Sequence, residues 1–223
     1  MKTQRTIILA TIGIAIIAGL LFFGGNVYAP QNSADTTATT SPVTGAGVFD
    51  KEGNPITINV LPINVPLAPD MGGEIIFPPN YLAGNKITII EKIESLRFAL
   101  KKNPADSASW IELGSYWKMI ENFKKAEAAW TYVTKLEPTN FVAWGNLGFL
   151  FGYYVHDNVK AEQYFLKAIE VAPNEGYPYF QTAEFYRDAL KDISKAKTIL
   201  DKGLKALPGD LGLKALRESL NAL

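Results

Sequence analysis

Four prolines, Pro104, Pro138, Pro173 and Pro208, recur at intervals of 34 or 35 residues, and other positions keep step with them. Trp110, Trp144 and Tyr179 align, as do Trp117, Phe151 and Tyr186. Leu113-Gly114 falls on Leu147-Gly148 and on Thr182-Ala183, and Ala126, Ala161 and Ala196 follow at steps of 35. Self-similarity at this period marks a stacked supersecondary unit rather than a single globular core. The spacing predicts two helices per unit. Gly114, Gly148 and Ala183 are small so that the first helix of a pair can cross the second closely, at Ala126, Ala161 and Ala196. The aromatic residues fill the space between neighbouring helices. Each proline lacks an amide N–H and pushes the residue before it out of the helical region, so it ends a second helix. One helix pair cannot bury its apolar face alone, so the pairs must stack.

The flanks suit such a stack. Ile90, Ile93, Leu96, Ala99 and Leu100 lie at helical spacing and are followed by Asn103-Pro104, which predicts a lone second helix before the first full pair. Leu213, Leu216 and Leu220 lie on one side of a final segment and Lys214, Arg217 and Glu218 mostly on the other, as in a capping helix.

These residues resemble the tetratricopeptide repeat family, whose pattern is W-x2-L-G-x2-Y, then an A-x3-F step, then P. The first repeat reads Trp110, Leu113, Gly114, Trp117, Ala126, Trp130, Pro138; the second reads Trp144, Leu147, Gly148, Phe151, Ala161, Phe165, Pro173. The third, Tyr179, Ala183, Tyr186, Ala196, Leu200, Pro208, is more degenerate, with Thr182 in the Leu slot. The second repeat carries an extra residue in its inner turn near His156, and the spacing of the third places its shift before Tyr179, near Pro173. The resemblance implies an all-α fold over residues 86–223, a right-handed α-solenoid of about three helix pairs. It divides into a half repeat (86–104), repeats 107–140, 141–175 and 176–210, and a capping helix (211–222).

In this family the first helices line a concave surface that binds polypeptide. Carried over by slot, that groove holds Ala108, Ile111, Ser115, Lys118 and Met119 from the first pair. The second pair supplies Val142, Gly145, Phe149, Gly152 and Tyr153, and the third Tyr177, Phe180, Glu184, Arg187 and Asp188. Some members clamp a carboxylate with Lys and Asn. Here those slots hold Ile111, Ser115, Gly145 and Phe149, with only Lys118 basic, so an extended apolar peptide or a helix is the expected ligand. Phe149, Tyr153, Tyr177 and Phe180 are expected to cluster, as aromatic hot spots do, unless the segment Ile56 to Leu67 covers them or they belong to the core.

Upstream of the repeats the chain changes character. Lys2 and Arg5 precede an uncharged apolar stretch from Thr6 to Phe23. Eighteen residues at about 1.5 Å each nearly span a hydrocarbon core of about 30 Å. Residues 1–28 are therefore expected to be a transmembrane signal-anchor. A cleaved signal peptide is the alternative, with Val27-Tyr28-Ala29 as the cleavage site, though Pro30 follows at once. No Lys or Arg follows Arg5 until Lys51. The bias implies a cytoplasmic N-terminus and an extracytoplasmic repeat domain, periplasmic or extracellular. Residues 29–47, rich in Ser, Thr, Ala, Gly and Pro, read as a flexible tether.

Residues 48–85 are different. Ile56, Ile58, Val60, Leu61, Ile63, Val65 and Leu67 are punctuated by Pro55, Pro62, Pro66, Pro69, Pro78 and Pro79. Prolines at this density forbid a helix or a central strand. The segment is an extended arm, either packed on the helical domain or docked on a partner or on the chain's own groove.

The formal charge is zero and there is no cysteine, which argues against nucleic-acid binding and removes disulfides and thiolate chemistry. The only histidine, His156, lies beside Asp157 and Asn158 in a helix connection and reads as a solvated turn residue. No phosphate loop, serine elbow or metal-ligand cluster is present. The expectation is a membrane-tethered binding protein with no cofactor, no metal and no catalysis. The alternative is a permanent structural subunit of an envelope complex for secretion, pilus or polysaccharide assembly.

Overall fold

The computed structural model describes residues 65–222. The expected signal-anchor, the tether and the arm up to residue 64 lie outside the described residues. Within them there is no strand, and no helix is long and apolar enough to cross a membrane.

Eight α-helices follow one another: α1 (Lys86–Lys102), α2 (Ser107–Met119), α3 (Phe123–Leu136), α4 (Phe141–Leu150), α5 (Asn158–Val171), α6 (Gly176–Glu184), α7 (Ile193–Ala206) and α8 (Leu211–Ser219). Helices α4 and α6 each continue into a π turn, Phe151–Val155 and Phe185–Ala189. The pairs are α2 with α3, α4 with α5, and α6 with α7, flanked by the lone second helix α1 and the cap α8. The arrangement is an α-solenoid.

Local chemistry sets the helix ends. Asp106, Asn140 and Asp210 cap α2, α4 and α8 by accepting from Ser109, Ala143 and Leu213 N–H at 3.2, 3.1 and 2.9 Å. Asn122, Asp157 and Asp192 do the same for α3, α5 and α7. Only α6, of the three paired first helices, lacks a side-chain cap: Glu175 stands there, one methylene too long. Each second helix stops at the residue before a proline. Asn103, Glu137, Ala172 and Leu207 all leave the helical region, with φ −129 to −137° and ψ 64 to 84°.

The prolines also act as acceptors. Trp110 Nε1 donates to Pro104 O at 2.9 Å, Trp144 Nε1 to Pro138 O at 2.9 Å, and Tyr179 OH to Pro173 O at 3.1 Å. In every case the span is six residues, so the turns between pairs are identical in length. The expected shift near Pro173 is therefore not there. The inner turns hold it instead. Asn122 N–H donates to Trp117 O, but Asp157 N–H donates to Phe151 O and Asp192 N–H to Tyr186 O, one residue further on. Pairs two and three each take up one extra residue, as the π turns that close α4 and α6. The three inner turns pass through left-handed backbone at Glu121, His156 and Lys191, with φ of 61, 61 and 57°. His156 is exposed.

Close crossing explains the small residues. A Cβ on Gly148 would meet the Phe165 ring at 2.8 Å, and one on Gly114 would collide with the Trp130 indole, whose Nε1 donates to Ile111 O. The third pair has Ala183 with Leu200 in those slots, a larger residue facing a smaller one. Leu113, Leu147, Thr182, Ala126, Ala161 and Ala196 are buried with Trp117, Phe151 and Tyr186 in one continuous core. Thr182 satisfies its hydroxyl on Pro178 O at 2.6 Å, which is how a polar residue occupies the Leu slot.

The described part of the arm, residues 65–82, is extended and belongs to the packed unit. Met71 is buried, and Ala68, Ile75, Phe77 and Tyr81 pack on the core. Tyr132 OH donates to Pro66 O at 2.9 Å, Lys125 Nζ to Gly72 O, and Arg97 to Gly73 O at 2.9 Å. The same two cations stand over the buried Trp117 ring, at 5.1 Å for Arg97 and 4.2 Å for Lys125. The compact unit thus begins before residue 86: the carbonyls of Pro66, Gly72 and Gly73 are bonded to side chains of α3 and α1.

Candidate functional site

The first helices α2, α4 and α6 carry the candidate binding residues, and the structure joins several across helix boundaries. Lys118 of α2 places its ammonium 5.0 Å from the Phe149 ring of α4 and 5.8 Å from Tyr154. Phe149 packs on Tyr153 at 4.7 Å, and Tyr153 meets Phe185 edge-on at 6.4 Å. On α6, Tyr177, Gln181 and Glu184 follow one face, with Gln181 Nε2 donating to Tyr177 OH at 3.1 Å. Gln181 also reaches α4. Its Oε1 stands 2.5 Å from where a Cβ on Gly145 would be, so that glycine is what lets α4 and α6 meet there.

Exposure sorts the remaining residues. Met119, Val142 and Tyr177 are open to solvent at 39, 37 and 46%. Ile111 and Phe180 are half-buried and packed on the core, so they support the surface more than they present it. The expected four-ring cluster does not form. Phe149 and Tyr153 pack with their rings tilted by 34°, whereas Tyr177 and Phe180 have no ring partner among the described residues. Tyr177 and Phe180 sit toward the start of α6, whereas Phe149 and Tyr153 sit at the end of α4, where Tyr153 meets Phe185 at the other end of α6.

The missed residue is Tyr154. It is 39% exposed and packs on Phe123 at 5.2 Å and Phe149 at 5.8 Å. A regular helix would carry position 154 away from this face. The π turn shifts the register after Leu150. The extra residue between Phe151 and Ala161 was the signal for it.

Charge is unevenly placed. Lys118 has no carboxylate partner among the described residues, and burial holds its ammonium below the usual lysine range. In the π turn that follows α6, Arg187 is shared by Asp188, at 2.6 and 2.7 Å, and Glu184, the last residue of α6, at 3.4 Å. Burial pushes the Glu184 carboxyl upward. The Tyr153 hydroxyl is also pushed up, first by burial and then by the nearby Asp188 and Glu184. Among the described residues no group of His, Asp and Glu is arranged to hold a metal ion.

The described arm does not lie on this surface. Its partners Arg97, Lys125 and Tyr132 all belong to α1 and α3, the second-helix layer.

No protein-family model and no curated protein matches this chain. Solved structures do. The Arabidopsis OM64 TPR domain is 21% identical, with a TM-score of 0.42 over 52% of this chain and 94% of that one. A crystal structure of MamA is 19% identical, with a TM-score of 0.47 over 62% of this chain and 86% of that one. A double mutant titled MamA RS-1 ArsTM is 16% identical, with a TM-score of 0.46 over 60% and 74%.

Proposed function

We propose that this chain is a protein-interaction module that binds an extended apolar peptide or a helix along the groove of α2, α4 and α6. In this reading residues 1–28 tether it to a membrane, with the helices on the extracytoplasmic side. The observation that carries the binding reading is the continuous strip of Lys118, Phe149, Tyr153 and Tyr154, which crosses from α2 to α4 and is left uncovered by the described arm. Aromatic side chains there offer large contact area at low entropic cost.

A photo-crosslinking residue placed at Tyr177 and, separately, at Val159 of α5 tests this in cells. Tyr177 should give a discrete adduct with another protein that Tyr153→Ala abolishes. Equal adducts from Val159, or none from Tyr177, would sink the groove reading. A protease-protection assay on sealed membranes tests the topology: the helical unit should be cut only from the extracytoplasmic side.

A second reading, a permanent subunit of an envelope assembly, draws on the first end of the stack. Leu82, Ile87 and Phe98 are 78, 70 and 63% exposed there. On that reading the Phe98→Ser variant would lose assembly while keeping groove adducts.

A further inference from the structure

The groove's charge is polarised along its length, and that restricts the peptide it can take. At the α2 end stands Lys118, a cation held over two rings; Glu121 lies near one of them, Tyr154, but forms no ion pair with the lysine. At the α6 end stand two carboxylates, Glu184 and Asp188, on a single guanidinium, Arg187, which leaves that end one negative charge in excess. Between them the floor is aromatic and uncharged, Phe149 against Tyr153 at 4.7 Å.

An unpaired, partly desolvated ammonium costs free energy that a ligand carboxylate can recover. The same holds in reverse for the surplus carboxylate. Steps of 5.0, 4.7 and 6.4 Å lead from the Lys118 ammonium through Phe149 and Tyr153 to Phe185, the neighbour of Glu184, so the two ends lie at most about 16 Å apart. An extended chain rises about 3.3 Å per residue, which makes that distance at most about five residues.

Resting on the peptide-binding reading above, we propose that the ligand is an extended peptide crossing the first helices, with an acidic side chain at Lys118 and a basic side chain about five residues away at Glu184 and Asp188. The intervening residues are apolar and face Phe149 and Tyr153. This chemistry also excludes one occupant. Residues 54–65 of the chain's own arm contain no charged side chain, so they match the floor but neither end.

The test uses the full-length chain in detergent micelles and blocked synthetic peptides. One set has a glutamate and a lysine separated by two, five or eight apolar residues. Two controls at the middle spacing carry two lysines or no charge, and the uncharged control is residues 54–65. Affinities are read by fluorescence anisotropy, and the binding face by amide shifts in α2, α4 and α6. The mixed peptide of middle spacing should bind about tenfold tighter than the uncharged one. Lys118→Glu should abolish that advantage and transfer it to the two-lysine peptide. Equal affinity for all peptides, with shifts in the three helices, would overturn the polarity while leaving the groove in place. No shift with any peptide would overturn both.

Discussion

The backbone N–H of Asp157 donates to the carbonyl of Phe151 at 2.9 Å, a span one residue longer than the equivalent bond from Asn122 to Trp117. This bond closes the inner turn of a pair. Its lengthening is where the 35-residue period differs from the 34-residue one, and it carries a consequence for binding. The extra residue is accommodated as a π turn, and the π turn delivers Tyr154 to the surface that Lys118 and Phe149 share. Deleting Val155 should restore a regular helix end and remove Tyr154 from that surface. Peptide affinity for the groove, read by anisotropy of a labelled peptide, should fall while circular dichroism shows that the stack stays folded.

The crossing of α4 and α5 should show compensation. Gly148→Ala overpacks against Phe165 and should cost about 1–3 kcal/mol. Phe165→Leu alone creates a void and should also destabilise. Together they reproduce the Ala183 and Leu200 arrangement of the third pair, so the double variant should lose less than the sum of the single losses. Urea denaturation of the four proteins measures the coupling.

Two backbone positions are open to improvement. Lys191 is a non-glycine residue at φ 57°, and Lys191→Gly should add about 0.5–1 kcal/mol by relieving the left-handed strain. Glu175→Asp should supply the missing cap of α6 and add about 0.5–1 kcal/mol. Thermal melts of the single variants check both, and a loss in either would contradict the assigned geometry.

The arm predicts a contrast between two neighbours. Met71 is 6% exposed and Leu67 is 96% exposed. Met71→Ala should cost about 2–5 kcal/mol, whereas Leu67→Ala should stay within about 0.5 kcal/mol. Equal effects would mean that the arm is not part of the folded unit.

Two glutamates should respond to pH in opposite senses. Hydrogen bonds from Lys195 and Tyr186 hold the Glu162 carboxyl below its ordinary value of 4.5. Its stabilisation is present above that value and is lost as pH falls through the depressed folded value, so Glu162→Gln should flatten the acid side of the stability profile. Glu184 is shifted upward by burial, so its penalty is carried at neutral pH and disappears below 4.5. Glu184→Gln should therefore stabilise at pH 7 and lose that advantage on acidification. Guanidinium titrations between pH 3 and pH 7 separate the two.

Much of this was legible because a repeat states its own packing rules several times. The spacing of Pro104, Pro138, Pro173 and Pro208, the paired small residues and the aromatic slots determined the number of helices, their ends and which faces meet. Each of those follows from local sterics, helix period and the chemistry of proline, which act within one repeat. Three things needed the tertiary structure. The location of the third repeat's extra residue depends on which hydrogen bond stays constant, and an alignment by spacing alone cannot distinguish the two turns. The arm's place on Arg97 and Lys125 depends on side chains of two different helices, α1 and α3, coming within reach of neighbouring carbonyls, which happens only once the stack is built. The site depends on how the first helices line up, which set Lys118 of α2 over Phe149 of α4 and left Tyr177 at the opposite end of α6 from Phe185, the ring that Tyr153 meets.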